Sequence, residues 1–510
     1  MATVVCLKTT KTKRETIDAD EFDTLQIVDG QQRLTTLIVL LKEIAATLDP
    51  KNPKERKVQE DINGLLVKGD RRMILLQTNH DTSDVFKNYL RDNKLPDIKS
   101  ITTQADKNLY DAIKECRDFL KDWKKEGSTS ILDLLRSIRN RLTFVYYLLA
   151  NEGAQYTIFE VLNSRGLEVD WLDKCKSMLM AIAFEKRGNA KTGDIKELHT
   201  TWTKIYGEMG RKEVPGHEIL KFAATLKKEE KPSKPLAAED ARDLFRKYCE
   251  DDPKRITEFS QWLLDVARIL KKLYTQRRLD AVTQIGHARL LAVSLHLSTK
   301  LSDKQREELL NTWERVTFRI FGMCRKDART KVGDFTRLAW EIGNGHITDP
   351  KEIKQKIENL GNEYLIQHAV DTLNHQKDCY NGWEDELRYF LYRYEESLAA
   401  EDGRKINEEM WERIWSKSAD STIEHICPQD SSGWGETELR AKLHCLGNLL
   451  LLPPDDNTRA SNKRFTEKKS IYEKTRLRMT EEVTRLKDWN IRELEKRQKR
   501  LINWAKEQWG

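Results

Sequence analysis

Paired cysteines are missing from this chain. Its eight cysteines (Cys6, Cys116, Cys175, Cys249, Cys324, Cys379, Cys427 and Cys445) stand singly along 510 residues, with no CxxC anywhere. Isolated thiols of this kind argue for a reducing compartment and against a cysteine-built zinc site. Cys427, His444 and Cys445 are near one another, but no fourth ligand follows at zinc spacing. Long apolar runs are missing too. No stretch of about 18 apolar residues occurs, as a membrane-crossing helix requires. The apolar start Met1–Leu7 runs at once into Lys8, Lys11, Lys13 and Arg14, unlike the longer apolar core of a secretory signal. A cytoplasmic protein with no membrane partner is expected. There is no Walker A loop and no internal repeat.

Charge, by contrast, is abundant. Asp, Glu, Lys and Arg make up 34% of the chain, the formal net charge is +7 and the mean hydropathy is -0.70. A heavily solvated surface follows. The modest excess allows nucleic-acid binding only if the positive charge is gathered locally. A chain of 510 residues and 59.7 kDa exceeds one ordinary core, so two to four domains are expected.

Hydrophobic spacing sorts the chain into three parts. Leu25–Val28 reads as a short strand ending at Asp29-Gly30, and from Gln31 the apolar positions Leu34, Leu37, Val39, Leu41 and Ile44 have helical spacing. Residues 48–70 read as a polar loop with a short helix, and 107–122 and 131–141 as helices. Leu142–Leu149 (LTFVYYLL) is β-branched and aromatic, which predicts a buried strand. From about 175 to 400 one helical pattern succeeds another, and 385–397 leads into the last part. Asn490 followed by Glu493 predicts the cap of a final helix. The expectation is a mixed α/β, predominantly helical protein divided at 1–180, 181–395 and 396–510.

The chemistry concentrates near the C-terminus. Glu424-His425 is followed 23 residues after the histidine by Asn448, and then by Asn457. A neutral imidazole removes a proton from water at neutral pH. Hard Mg²⁺ takes oxygen ligands, often only one or two from protein. Glu424 and Asn457 offer such oxygens, and His425 offers the base. In an extended strand, however, Glu424 and His425 point to opposite faces, so spacing alone leaves a polar strand end with turn asparagines as an equal reading. Between Asn457 and Arg478, eight Lys and Arg stand against Glu467 and Glu473. Such a run is either a phosphate-tracking surface or a solvated helix face.

A second constellation lies near the N-terminus, in Asp29-Gly30-Gln31-Gln32-Arg33-Leu34-Thr35-Thr36. A glycine turn, amides, a guanidinium and hydroxyls at a strand-to-helix junction suit an anion. The same residues also suit an N-cap, a turn and a solvated arginine.

The strings IEHICPQD from Ile423, Gly433-Trp434, LGNLLLLPPDDN from Leu446 and SNKRF from Ser461 closely resemble the HNH nuclease domain of GmrSD-like modification-dependent restriction proteins. DGQQRLTTL from Asp29 and IFEVLNSRGLEVDWLDKCK from Ile158 resemble the N-terminal domain of the same family. The resemblance covers roughly residues 1–180 and 385–510. It implies a ParB-like α/β N-terminal domain, a helical middle and a C-terminal ββα-metal domain. His425 would be the general base, Glu424 and Asn457 the Mg²⁺ or Mn²⁺ ligands, and Asn448 the catalytic-site asparagine that braces the hairpin. Gln429, Arg459, Lys463, Arg464 and Lys468 would meet DNA. Asp29, Gly30, Gln31, Gln32, Arg33, Thr35, Asn163 and Arg165 would form a pocket for GTP or another nucleoside triphosphate. The family's opening Tyr-Gln-Arg and Tyr-x-Trp segment has no counterpart in the 28 residues before Asp29, which implies a shortened N-terminal segment and puts triphosphate hydrolysis in doubt.

The implied activity is an endonuclease or nickase of a phage-defence restriction system, acting on modified double-stranded DNA under nucleotide control. A double-strand break from one site per chain suggests a homodimer. The alternatives are a DNA-binding adaptor without catalysis, or a triphosphatase switch whose HNH domain only recognises DNA.

Overall fold

A computed structural model describes the chain apart from residues 1, 9–13, 18–19, 24, 69–72, 75–84, 96, 99–100, 102, 127–129, 150–169, 188–191, 211–213, 277–278, 376–377, 407 and 431–436. It falls into two compact units, one of Met1–Ala224 with Leu236–Lys271 and one of Thr225–Pro235 with Lys272–Gly510. The architecture is predominantly helical, with small sheets toward each end of the chain.

In the first unit β1 (Ala2–Leu7) is the middle of three strands, antiparallel to β2 (Gln26–Asp29) and parallel to β3 (Phe144–Leu149). Val5, Leu7 and Val28 are buried together with Leu149 packed against them. Gly30 follows β2 with φ of 94°, a left-handed conformation that glycine adopts without a Cβ clash. The chain thereby turns directly into α1 (Gln31–Thr47). The stretch expected to be mostly loop holds a 14-residue helix, α2 (Pro53–Leu66), capped by Asn52 and started by Pro53. Ile44 and Ala45 of α1, with Leu48 just after it, pack on Ile62 and Leu66 of α2, and Leu120, Ile131 and Leu135 close the cluster. Burial of this apolar seam stabilises helices whose outer faces are charged.

The strand expected at Leu142–Leu149 forms over Phe144–Leu149, but it is not buried. Tyr146, Tyr147 and Leu148 are each at least half exposed. β3 pairs only with β1 among the described residues, so its composition fits a pleated surface without a covering layer.

The second unit centres on α3 (Gly286–Leu297), which is buried from His287 to Leu295 and packs against α5 (Val332–Gly343). Between them α4 (Asp303–Thr317) runs into a π-helical turn, Phe318–Met323. The buried indoles find carbonyl partners: Trp313 donates to Ala288 at 2.8 Å and Trp383 to Gly322 at 2.8 Å. Indole N–H groups left unpaired in such a core would cost stability. After α6 (Glu384–Glu401), β4 (Ile423–His425) pairs antiparallel with β5 (Leu449–Leu451). Then follow α7 (Pro454–Ala460), α8 (Phe465–Thr475), α9 (Arg478–Thr484) and α10 (Ile491–Trp509). Asn490 caps α10 by accepting from Glu493 N at 3.2 Å.

Candidate active site on the C-terminal hairpin

The register of the hairpin sets Glu424 opposite Leu450 and His425 opposite Leu449. Successive strand residues face opposite sides, and their partners divide accordingly. The Glu424 carboxylate accepts from Lys468 Nζ at 2.6 Å and Tyr472 OH at 2.8 Å, both on α8. His425 Nε2 lies 3.0 Å from His444 Nδ1, and its Nδ1 lies 3.5 Å from Gln429 Nε2. Tyr380 sets its ring edge-on to His425, with centroids 4.8 Å apart, and stacks on His444 at 5.6 Å.

His425 is only 6% exposed. Burial, with a smaller contribution from the neighbouring His444 and Lys468, pushes its pKa down to about 3. The imidazole is therefore neutral across the physiological range, free to accept a proton but a weaker base than a solvated imidazole.

Asn448 sits wholly buried in the turn before β5. Its Nδ2 donates to Cys427 O at 3.0 Å and Leu443 O at 2.8 Å, while Oδ1 accepts from Cys427 N at 2.8 Å and Trp489 Nε1 at 3.1 Å. That arrangement occupies both amide donors and ties the two arms of the hairpin together. Asn448 thus shapes the site and does not reach into it. Arg497 of α10 supports the same turn, donating to Gly447 O and Leu449 O at 2.8 Å each. Gly447 is required there, because a Cβ would lie 2.5 Å from the Leu494 carbonyl oxygen.

The pairing expected for a divalent cation does not form in this arrangement. Asn457 Nδ2 donates to Ser421 O at 2.9 Å, pinning the approach to β4, and Glu424 is neutralised by the ammonium of Lys468. Burial pushes the Glu424 carboxyl up and the Lys468 ammonium down, and their mutual attraction works against both shifts. A cation on Glu424 would sit beside a buried positive charge, so Glu424 does not fit the ion, whereas the Asn457 hydrogen bond engages only its amide nitrogen. No group of three or more His, Cys, Asp or Glu suited to a metal occurs among the described residues.

The residues expected at DNA separate into two sets. Gln429, Arg459, Lys463 and Arg464 are exposed. Lys468 is not: fully buried, it donates to Glu424 and at 2.6 Å to His425 O. This corrects the reading of Lys468 as part of a phosphate-tracking surface. Tyr380 escaped the sequence reading, and His444 entered it only as a zinc ligand lacking a fourth partner. For His444 the available signal was its place four residues before Asn448, which puts it on the turn that Asn448 braces.

In the first unit Asp29 ends β2 opposite Val5, and Gly30 makes the left-handed turn. Gln31, Gln32 and Arg33 are exposed in the first turn of α1, with Thr35 partly buried. Gln31 Nε2 is held by Ile27 O at 2.8 Å. Asn163 and Arg165 lie outside the described residues, as do Gly433 and Trp434.

A neutral, buried imidazole on a short hairpin flanked by exposed cationic side chains is the equipment of an HNH-type endonuclease. The chain belongs to the GmrSD restriction endonucleases: residues 2–180 match the N-terminal domain of that family and residues 367–504 its C-terminal domain. No curated protein matches the chain. No helix among the described residues is long and apolar enough to cross a membrane.

Proposed function

We propose that the protein hydrolyses phosphodiester bonds of modified foreign DNA in a restriction system, with His425 as the general base. The observation that carries this reading is the placing of His425 on a hairpin that Asn448 and Arg497 brace, with His444 3.0 Å from its Nε2. His425 takes a proton from the attacking water, the water oxygen bonds to phosphorus, and the leaving ester oxygen departs. Gln429, Arg459, Lys463 and Arg464 supply donors to the flanking phosphates. Dependence on Mg²⁺ or Mn²⁺ is the family's general property, and no step is assigned to an ion on Glu424 and Asn457.

Nucleotide control through the first unit belongs to the same proposal. Asp29, Gly30, Gln31, Gln32, Arg33 and Thr35 surround the start of a 17-residue helix, where backbone N–H groups favour a phosphate. Asn163 and Arg165, which lie outside the described residues, are the further candidates for binding the triphosphate. The functional division stays at 1–180, 181–395 and 396–510, with ParB-like and ββα-metal folds at the two ends.

The test is plasmid nicking with Mg²⁺ or Mn²⁺, on modified and unmodified DNA, with and without GTP or ATP. His425→Ala should abolish nicking while leaving DNA retention in a mobility shift unchanged. Wild-type protein that binds DNA but never nicks it under these conditions is an adaptor, and the catalytic reading falls.

A further inference from the structure

The imidazole pair on the hairpin goes beyond a single general base. His425 Nε2 points at His444 Nδ1 across 3.0 Å, with the ring planes 82° apart. One nitrogen of this contact must carry a hydrogen and the other a lone pair. The opposite edge of His425, Nδ1, faces Gln429, which is exposed, whereas His444 is only partly exposed. Nδ1 is thus the edge of His425 nearer the exposed Gln429, where an entering water would displace the 3.5 Å amide contact.

His444 is held firmly enough to choose the tautomer. Its carbonyl accepts from Cys379 N at 2.7 Å, and the Tyr380 ring lies nearly parallel to its own, 13° between planes. Asp378 fixes the segment carrying Tyr380, its carboxylate accepting from Tyr380 N at 3.0 Å and Asn381 N at 2.9 Å. On the other side Asn448 fastens Leu443, the residue before His444.

We propose that His444 is a positioning residue for the hydrolysis assigned above. Its Nδ1 accepts the Nε2–H of His425, which leaves His425 Nδ1 unprotonated on the side facing Gln429. His444 itself is then the Nε2–H tautomer, and it neither touches the substrate nor takes the water's proton. Base-orienting partners of this kind set both the tautomer and the direction of the lone pair. The proposal rests on the reading of His425 as the base.

Two replacements separate an acceptor at the Nδ1 position from mere bulk. Asn places its amide oxygen where Nδ1 lies, whereas Gln reaches only to the Nε2 position. His444→Ala and His444→Gln should lower kcat for nicking by about 10–100-fold with KM unchanged, the usual cost of losing an orienting partner. His444→Asn should restore most of the rate. Histidine ¹⁵N NMR of the full chain supplies a readout independent of catalysis. The wild-type His425 signals, assigned by their loss in His425→Ala, should be those of the Nε2–H tautomer, and His444→Ala should mix the tautomers. A His425 that is Nδ1–H in the wild type, or a His444→Ala variant that nicks at the wild-type rate, overturns the proposal. Should the wild type not nick at all, the nuclease reading fails, while the NMR result still decides whether His444 sets the tautomer.

Discussion

At the scale of single residues, one ion pair separates what a sequence displays from what folding does with it. Lys468 stands among eight basic residues and looks like one more solvated charge. In the fold its ammonium is fully buried between Glu424 and the His425 carbonyl. Removing one member of a buried pair leaves the other charge uncompensated, which typically costs about 3–5 kcal/mol. Lys468→Met should destabilise the second unit by that order in urea unfolding. Lys463→Met, on the exposed surface, should stay within about 0.5 kcal/mol of wild type. The double change Glu424→Gln with Lys468→Met should recover much of the loss. If Lys468→Met proves neutral, Lys468 is not the counter-charge of Glu424. The opposite facing of Glu424 and His425 was legible from strand alternation alone. The partner of Glu424 was not, because it comes from a helix 44 residues later and local pattern carries no record of such a contact.

At the scale of elements, the cap of α9 is a carboxylate borrowed from another helix. Glu395 of α6 accepts from Arg478 N at 2.6 Å and from Met479 N at 2.8 Å. α9 in turn supports β5, since Leu451 N donates to Met479 Sδ at 3.3 Å. Burial outweighs these hydrogen bonds and the charge of Arg478, raising the Glu395 pKa from 4.5 to about 7. The folded state thus holds this proton more tightly than the unfolded chain does. The associated stability is complete below pH 4.5 and is lost as pH rises to about 7, amounting to roughly 3 kcal/mol. Glu395→Gln should remove that downward slope, read as a flatter urea midpoint between pH 5 and 7.5. An unchanged slope would mean that Glu395 titrates as it does in the unfolded chain. Strand and helix types were largely legible here, as in the turn at Gly30 and the cap at Asn490. Borrowed caps such as Glu395, and the exposure of β3, depend on which elements meet, which spacing does not record.

At the scale of the whole chain, the division into two compact units has no mark in the composition. One junction falls after Lys271, inside the helix Arg255–Thr275, whose apolar spacing runs on undisturbed. The second unit nevertheless carries a collective signature in three imidazoles, His287 and His425 buried and His296 half-buried. His287, held by Thr330 O at 2.9 Å, and His296 are pushed down to about 4 by burial, with Lys272 and Arg306 adding to the shift at His296. His425 is pushed down to about 3. For each, the folded pKa lies below the unfolded value of 6.5. The stability they contribute is therefore complete above pH 6.5 and is lost as pH falls through the folded values. His287 and His296 each contribute on the order of 3 kcal/mol and His425 about 5 kcal/mol. Glu395, Glu386 and Glu424, whose carboxyls burial pushes up, act in the opposite direction. The imidazoles' own share of the slope is toward unfolding, an acid limb that falls between pH 6.5 and 4. His287→Gln keeps a donor for the Thr330 carbonyl but cannot gain a proton. It should make the acid limb shallower by about one imidazole's share, measured as unfolding free energy in urea from pH 7.5 to 4.5. An acid limb as steep in His287→Gln as in the wild type would show that His287 is not one of the groups whose protonation opens this core.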